Sequence, residues 1–131
     1  MPSNDTSSKR TVWAGRMLSG LAALFTVFDT GVKLLALPAA IQATVQLGYD
    51  PGVVRGLGLI ELALLTLYLI PRTAALGAIL WTGYLGGAVA SNVLARAPSF
   101  PNTLFPIFFA AFLWGGLWLR DPRTRALLAR V

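Results

Sequence analysis

The apolar residues of this chain fall into four long runs, with one short run between the first two and another after the last. The first run, Trp13 to Leu37, places Ser19, Ala22, Ala23, Thr26, Asp29, Thr30 and Lys33 at the three-and-four spacing of a single helix face. Leu18, Leu21, Leu24, Phe25, Phe28, Val32 and Leu35 take the opposite face. At about 1.5 Å per residue such a helix crosses a hydrocarbon core of ~30 Å. An ionised Asp at the centre of a bilayer costs at least about 2.5 kcal/mol, so the small and polar face is predicted to turn towards other segments of the chain.

The short run Ala39 to Leu47 cannot span. It is predicted to lie at the interface, to stop at Gly48 and to hold Tyr49 at headgroup depth. Asp50-Pro51 then restarts a helix, because Asp accepts from the first free amides and Pro suits the first turn. The second span, Val53 to Ile70, carries Arg55 near its start and Glu61 near its middle, with Gly58, Glu61, Leu65 and Tyr68 on one face. Pro71-Arg72-Thr73 leaves almost no loop, which makes spans two and three antiparallel neighbours.

The third span, Ala74 to Ala95, has the stripe Gly77, Trp81, Tyr84, Ala88 and Ser91. Its Gly83 and Gly87 form a GxxxG pair, expected to serve helix packing inside the bundle. Arg96 to Pro101 reads as a turn, and Asn102-Thr103 as the cap of a fourth span that is rich in aromatics around Gly115-Gly116 and ends at Arg120. After Asp121-Pro122, the basic amphipathic tail Arg123 to Val131 is predicted to rest on anionic headgroups. The predicted architecture is all-α: an integral membrane four-helix transmembrane bundle, with a short interfacial helix between spans 1 and 2. One domain covers 13–131, behind a flexible polar tail at 1–12.

Composition sharpens this picture. Of 131 residues 56% are hydrophobic and 12% charged, about half the charged share of a soluble domain, and little length is left for a soluble catalytic module. The net charge of +6 sits at the ends of apolar runs without interleaved aromatics, which points to membrane lipids and not to nucleic acid. Without Cys or His there is no disulfide, thiolate or imidazole chemistry. The start of the chain resembles a signal peptide, but Asp29 and Lys33 inside the apolar run argue for a retained span. Lys9, Arg10, Arg16, Arg72, Arg120, Arg123, Arg125 and Arg130 gather on one side against Arg55 and Arg96 on the other. Both termini are therefore expected in the cytoplasm.

Counting helical rise from the cytoplasmic ends puts Asp29 at about 20 Å, Glu61 at about 16 Å and Tyr84 at about 17 Å. Lys33 and Asn92 lie higher, and Arg55 lies above Glu61. A polar cavity at mid-membrane is expected, opening outward through Lys33, Arg55 and Asn92. The candidate ligand-binding residues are Asp29, Lys33, Glu61, Tyr84, Asn92 and Arg55, with no catalytic residue and no metal ligand assigned. Tyr84, Tyr68 and Trp81 are candidate hydrogen-bond donors to a carbonyl or hydroxyl on an apolar ligand. The same charges equally suit a self-satisfied ion-pair network that holds the bundle in register.

The runs Arg16 to Gly20, Phe28-Asp29 with Lys33, Gln46 to Tyr49, Gly58 to Glu61, Leu67 to Thr73 and Gly83 to Ala88 resemble the DoxX-like family of small bacterial membrane proteins. Leu104-Phe105-Pro106 and Trp114 to Arg123 extend the resemblance over nearly the whole chain. It implies a four-helix transmembrane bundle in the bacterial inner membrane and relatives that act as partners in quinone-linked or other membrane redox complexes. Asp29, Lys33, Glu61 and Tyr84 match its motif positions, without catalytic roles. Many members have His where this chain has Asn92, and an amide neither titrates near neutrality nor makes a good metal ligand.

Three functions are open at this point. One is a non-enzymatic component that binds a quinone or lipid and supports a membrane redox partner. The second is a small transporter or channel, made as a homo-oligomer through exposed glycine faces, and the third is an assembly scaffold. A self-contained enzyme is not expected, since no nucleophile-base pair, phosphate loop or metal set is present.

Overall fold

The computed structural model describes residues 3–97 and 102–130, with side chains from residue 9 onward. Every regular element among them is helical: α1 (Ser3–Leu34), α2 (Pro38–Gln46), α3 (Val54–Leu69), α4 (Ala74–Leu94), α5 (Leu104–Arg120) and α6 (Pro122–Leu128), with a 3-10 turn at Pro51–Val53. Helices α1, α3 and α4 are each long and apolar enough to cross a membrane, and α5 bends by 108° into α6. Each long helix packs on two others, in the cyclic order α1, α3, α4, α5. Facing residues run in opposite order along α1 and α3 (Ser19 with Tyr68, Thr30 with Glu61), along α3 and α4 (Tyr68 with Gly77, Glu61 with Tyr84), and along α1 and α5 (Gly15 with Arg120, Phe25 with Phe105). The result is the all-α membrane bundle that the apolar runs predict.

The polar stripe of α1 turns inward as expected. Ser19, Ala22, Thr26 and Thr30 are buried, whereas Leu21, Leu24, Phe25 and Phe28 face out. Thr26 donates its hydroxyl to the Ala22 carbonyl, so its burial leaves no donor unmet. The face of α3 is equally faithful, with Gly58, Glu61, Leu65 and Tyr68 all buried. Helix α1 starts at Ser3 and not at Trp13. No Pro or Gly interrupts Ser3 to Val12.

Two close approaches set the helix spacing. A Cβ on Gly116 would lie 2.5 Å from Ser19 Oγ and 2.9 Å from the Ser19 backbone nitrogen, and one on Gly15 would lie 2.6 Å from the Arg120 nitrogen. A Cβ on Gly77 would lie 2.5 Å from the Tyr68 nitrogen. Glycine is required at these positions because backbone faces backbone. Gly83 and Gly87 correct an expectation: nothing lies within 4 Å of a Cβ at either, so the GxxxG pair faces outward and does not pack the bundle. The buried stripe of α4 passes through Gly77, Ala78, Trp81 and Leu85. Gly83 lies two residues from Trp81, about 200° around the helix, and so looks away from the core.

Three helix ends share one closing device. After α1, Ala36 has φ 51°, with Ala36 N–H donating to the Lys33 carbonyl and Leu37 N–H to Val32. Gly48 (φ 90°) closes α2 and Arg96 (φ 55°) closes α4 through the same pair of backbone bonds. Asp50 caps the turn before α3, accepting from Gly52 N–H at 2.7 Å, and Asp121 caps α6, accepting from Arg123 N–H at 3.1 Å and Thr124 Oγ1 at 2.8 Å. Thr103 makes no side-chain hydrogen bond to α5, so the expected cap is not formed there. Residues 98–101 of the expected Arg96 to Pro101 turn, and Val131 of the expected tail, lie outside the described residues.

Candidate functional site

Glu61 is the centre of the bundle's polar chemistry. It sits mid-way along α3 with 2% of its surface exposed, and three side chains from two other helices converge on it. From α1, Lys33 Nζ donates to Glu61 Oε1 and Thr30 Oγ1 donates to Oε2 at 3.4 Å. From α4, the Tyr84 hydroxyl donates to Oε1 at 2.6 Å. Lys33 also donates to Asp29 Oδ2 at 2.6 Å, so one ammonium joins two carboxylates.

Local geometry explains the convergence. Lys33 lies one turn above Asp29, and helical side chains lean towards the N-terminus of their helix, which carries its ammonium back down to Asp29 and across to Glu61. This corrects the placement of Lys33 above the acids. Exposure is graded across the cluster: the Glu61 side chain is 2% exposed, Lys33 19% and Asp29 36%. The cluster is thus closed at Glu61 and open on the Asp29 side. Among the described residues, no group of Asp and Glu is placed to hold a metal ion.

Two of the predicted site residues do not join the cluster. Arg55 is exposed and makes no ion pair with a described residue. It precedes Glu61 by six residues, about 120° off its face. Asn92 is buried, but its amide donates to the Ala88 carbonyl at 2.8 Å, and it stands about 12 Å along α4 from Tyr84. Arg55 and Asn92 are therefore not part of the Glu61 cluster; two shallow concavities lie on α1 beside Trp13 and Arg16. Above the cluster, Tyr49 Oη and Ser91 Oγ bond at 2.6 Å and tie the α2–α3 connection to α4.

A second polar node escaped the sequence reading. Tyr68, fully buried, donates its hydroxyl to the Leu113 carbonyl at 2.7 Å and bonds Ser19 Oγ at 2.9 Å, linking α3, α5 and α1. The Arg120 guanidinium lies 5.1 Å from the Tyr68 ring centre and donates to the Tyr68 carbonyl at 3.3 Å. The available signal was Ser19 on the inward stripe of α1 at the depth of Tyr68, two groups of matching chemistry. Of the three candidate donors to a ligand, Tyr68 and Tyr84 are engaged within the chain, whereas Trp81 Nε1 is buried with no hydrogen-bond partner among the described residues.

A family model described as the DoxX-like family matches residues 17–116, a stretch that includes every residue of the Glu61 cluster. No curated protein and no solved structure matches the chain.

Proposed function

The chain belongs to the DoxX-like family of membrane proteins, and from that premise we propose that it is a non-enzymatic membrane component that binds a small apolar ligand with a polar head, a quinone or a lipid, and supports a membrane redox partner. The observation that carries this reading is the Glu61 cluster. An ion pair inside a membrane bundle is expensive, and such groups commonly mark a pathway or a ligand. Here two acids, a base, a threonine and a tyrosine from three helices meet, with the Asp29 end open. Lys33, with a third N–H beyond the two given to Asp29 and Glu61, supplies a donor to a carbonyl or phosphate oxygen, and Asp29 and Glu61 supply acceptors to a hydroxyl. On this reading the protein resides in the bacterial inner membrane with both termini in the cytoplasm.

A second reading has its own support. The donors around Glu61 all come from the chain itself, which suits a network whose work is to hold α1, α3 and α4 in register, as in an assembly scaffold. Native mass spectrometry of the protein released from lipid nanodiscs separates the two. The ligand reading expects a discrete extra mass that is retained by the wild type and lost in Asp29→Asn at unchanged folded yield. A bare protein, or an adduct held equally by both, makes the cluster structural.

A further inference from the structure

We propose that Trp81 Nε1 is the hydrogen-bond donor for a carbonyl oxygen of a lipid-soluble ligand that reaches the bundle interior beside α4. The inference rests on the ligand reading above and adds a residue and a ligand chemistry to it. Trp81 is 3% exposed and its indole N–H meets no acceptor among the described residues. A buried donor left unmet costs about 1–3 kcal/mol, and in hydrocarbon there is no solvent to relieve it. The other two candidate donors are spent on Leu113 and Glu61.

The surroundings define what Trp81 can take. Its ring meets Tyr84 edge-on at 5.5 Å and Phe109 at 5.7 Å, and it belongs to the buried apolar core that also holds Ala22, Ala78 and Leu85. Trp81 lies one turn from Tyr84, which bonds Glu61. An indole N–H only donates, so the partner atom is an acceptor and not a hydroxyl donor. The aromatic and aliphatic lining calls for an apolar body around that acceptor. A ketone or quinone carbonyl has both properties, whereas a charged headgroup would be stranded among Phe109, Leu85 and the alanines.

The test uses the full chain in nanodiscs, labelled with 15N at the indole nitrogens, and a decyl-benzoquinone as probe. The four tryptophans give four indole signals, and Trp81→Phe, which keeps a ring in place, identifies the Trp81 signal. Saturating probe is expected to move the Trp81 N–H resonance downfield, as a newly bonded donor does, and to leave those of Trp13, Trp114 and Trp118 in place. Trp81→Phe is expected to bind the probe about fivefold more weakly, the effect of one net hydrogen bond. Probe that binds in a Glu61-dependent way without moving the Trp81 signal overturns this inference and leaves the ligand reading intact. A Trp81 N–H that exchanges with water and stays unmoved at saturation also overturns it, and a wild type that binds no probe overturns both.

Discussion

At the scale of single residues, Lys33 is the charge that makes Glu61 tolerable. Its ammonium is shared with Asp29, but Asp29 is partly exposed and Glu61 is not. Removing one partner of a buried pair typically costs 3–5 kcal/mol, because the other charge stays buried and uncompensated. Lys33→Met should therefore lower stability by about that amount in mixed-micelle unfolding, whereas adding Glu61→Gln to it should recover part of the loss. If the two losses simply add, Glu61 does not depend on Lys33 and the pairing is incidental. The inward position of these residues was legible from the three-and-four spacing of α1 and α3. Their bonding was not, because the direction of a lysine side chain and the 100° step that removes Arg55 from Glu61's face decide contacts that counting rise along the axis leaves out.

At the scale of elements, glycines separate packing from exposure. Gly116→Ala must push against the Ser19 backbone, so it should cost about 1–3 kcal/mol, whereas Gly83→Ala and Gly87→Ala meet open space and should leave stability unchanged. Equal losses at all three positions would mean that α4's outer face is packed. The sequence located both glycine pairs, but a GxxxG spacing is blind to which face is buried. That follows from the neighbours of Trp81 on the same helix. Helix ends give a second contrast: Ala36 holds φ 51° where glycine has no Cβ penalty, so Ala36→Gly should gain about 1 kcal/mol in thermal unfolding. A loss would show that the Ala36 methyl makes a contact worth more than the strain. The stops after α2 and before α3 were readable from Gly48 and Asp50, whereas Ala36 and Arg96 carry no such mark.

At the scale of the molecule, four helices of alternating direction put the start of the α1 span and the end of α5 on one side of the bundle. A C-terminal fluorescent-protein fusion should be bright, and a single Cys introduced at Arg10, unambiguous in a chain without cysteine, should be shielded from impermeant maleimide in intact cells. Labelling from outside would reverse the orientation. The bundle itself was written plainly in the spacing of apolar runs, because lipid forces every backbone group into helices and leaves few alternatives. What the sequence could not give was the Tyr68 node, whose partner at Leu113 is a backbone carbonyl and has no residue signature.

That node divides the bundle mechanically. Tyr68 rivets α3 to α1 and α5 at once, and Gly15 and Gly116 bring the α1 and α5 backbones together, so these three helices make a frame. Helix α4 is the fourth side, seated by Gly77 against the Tyr68 backbone and fastened by Tyr84 to Glu61, by Trp114 Nε1 to Thr82 Oγ1 at 2.7 Å and by Ser91 to Tyr49, each a single side-chain bond. Glu61 and Trp81 both lie on the seam between that fourth side and the frame, so whatever loosens α4 alone reaches both of them together.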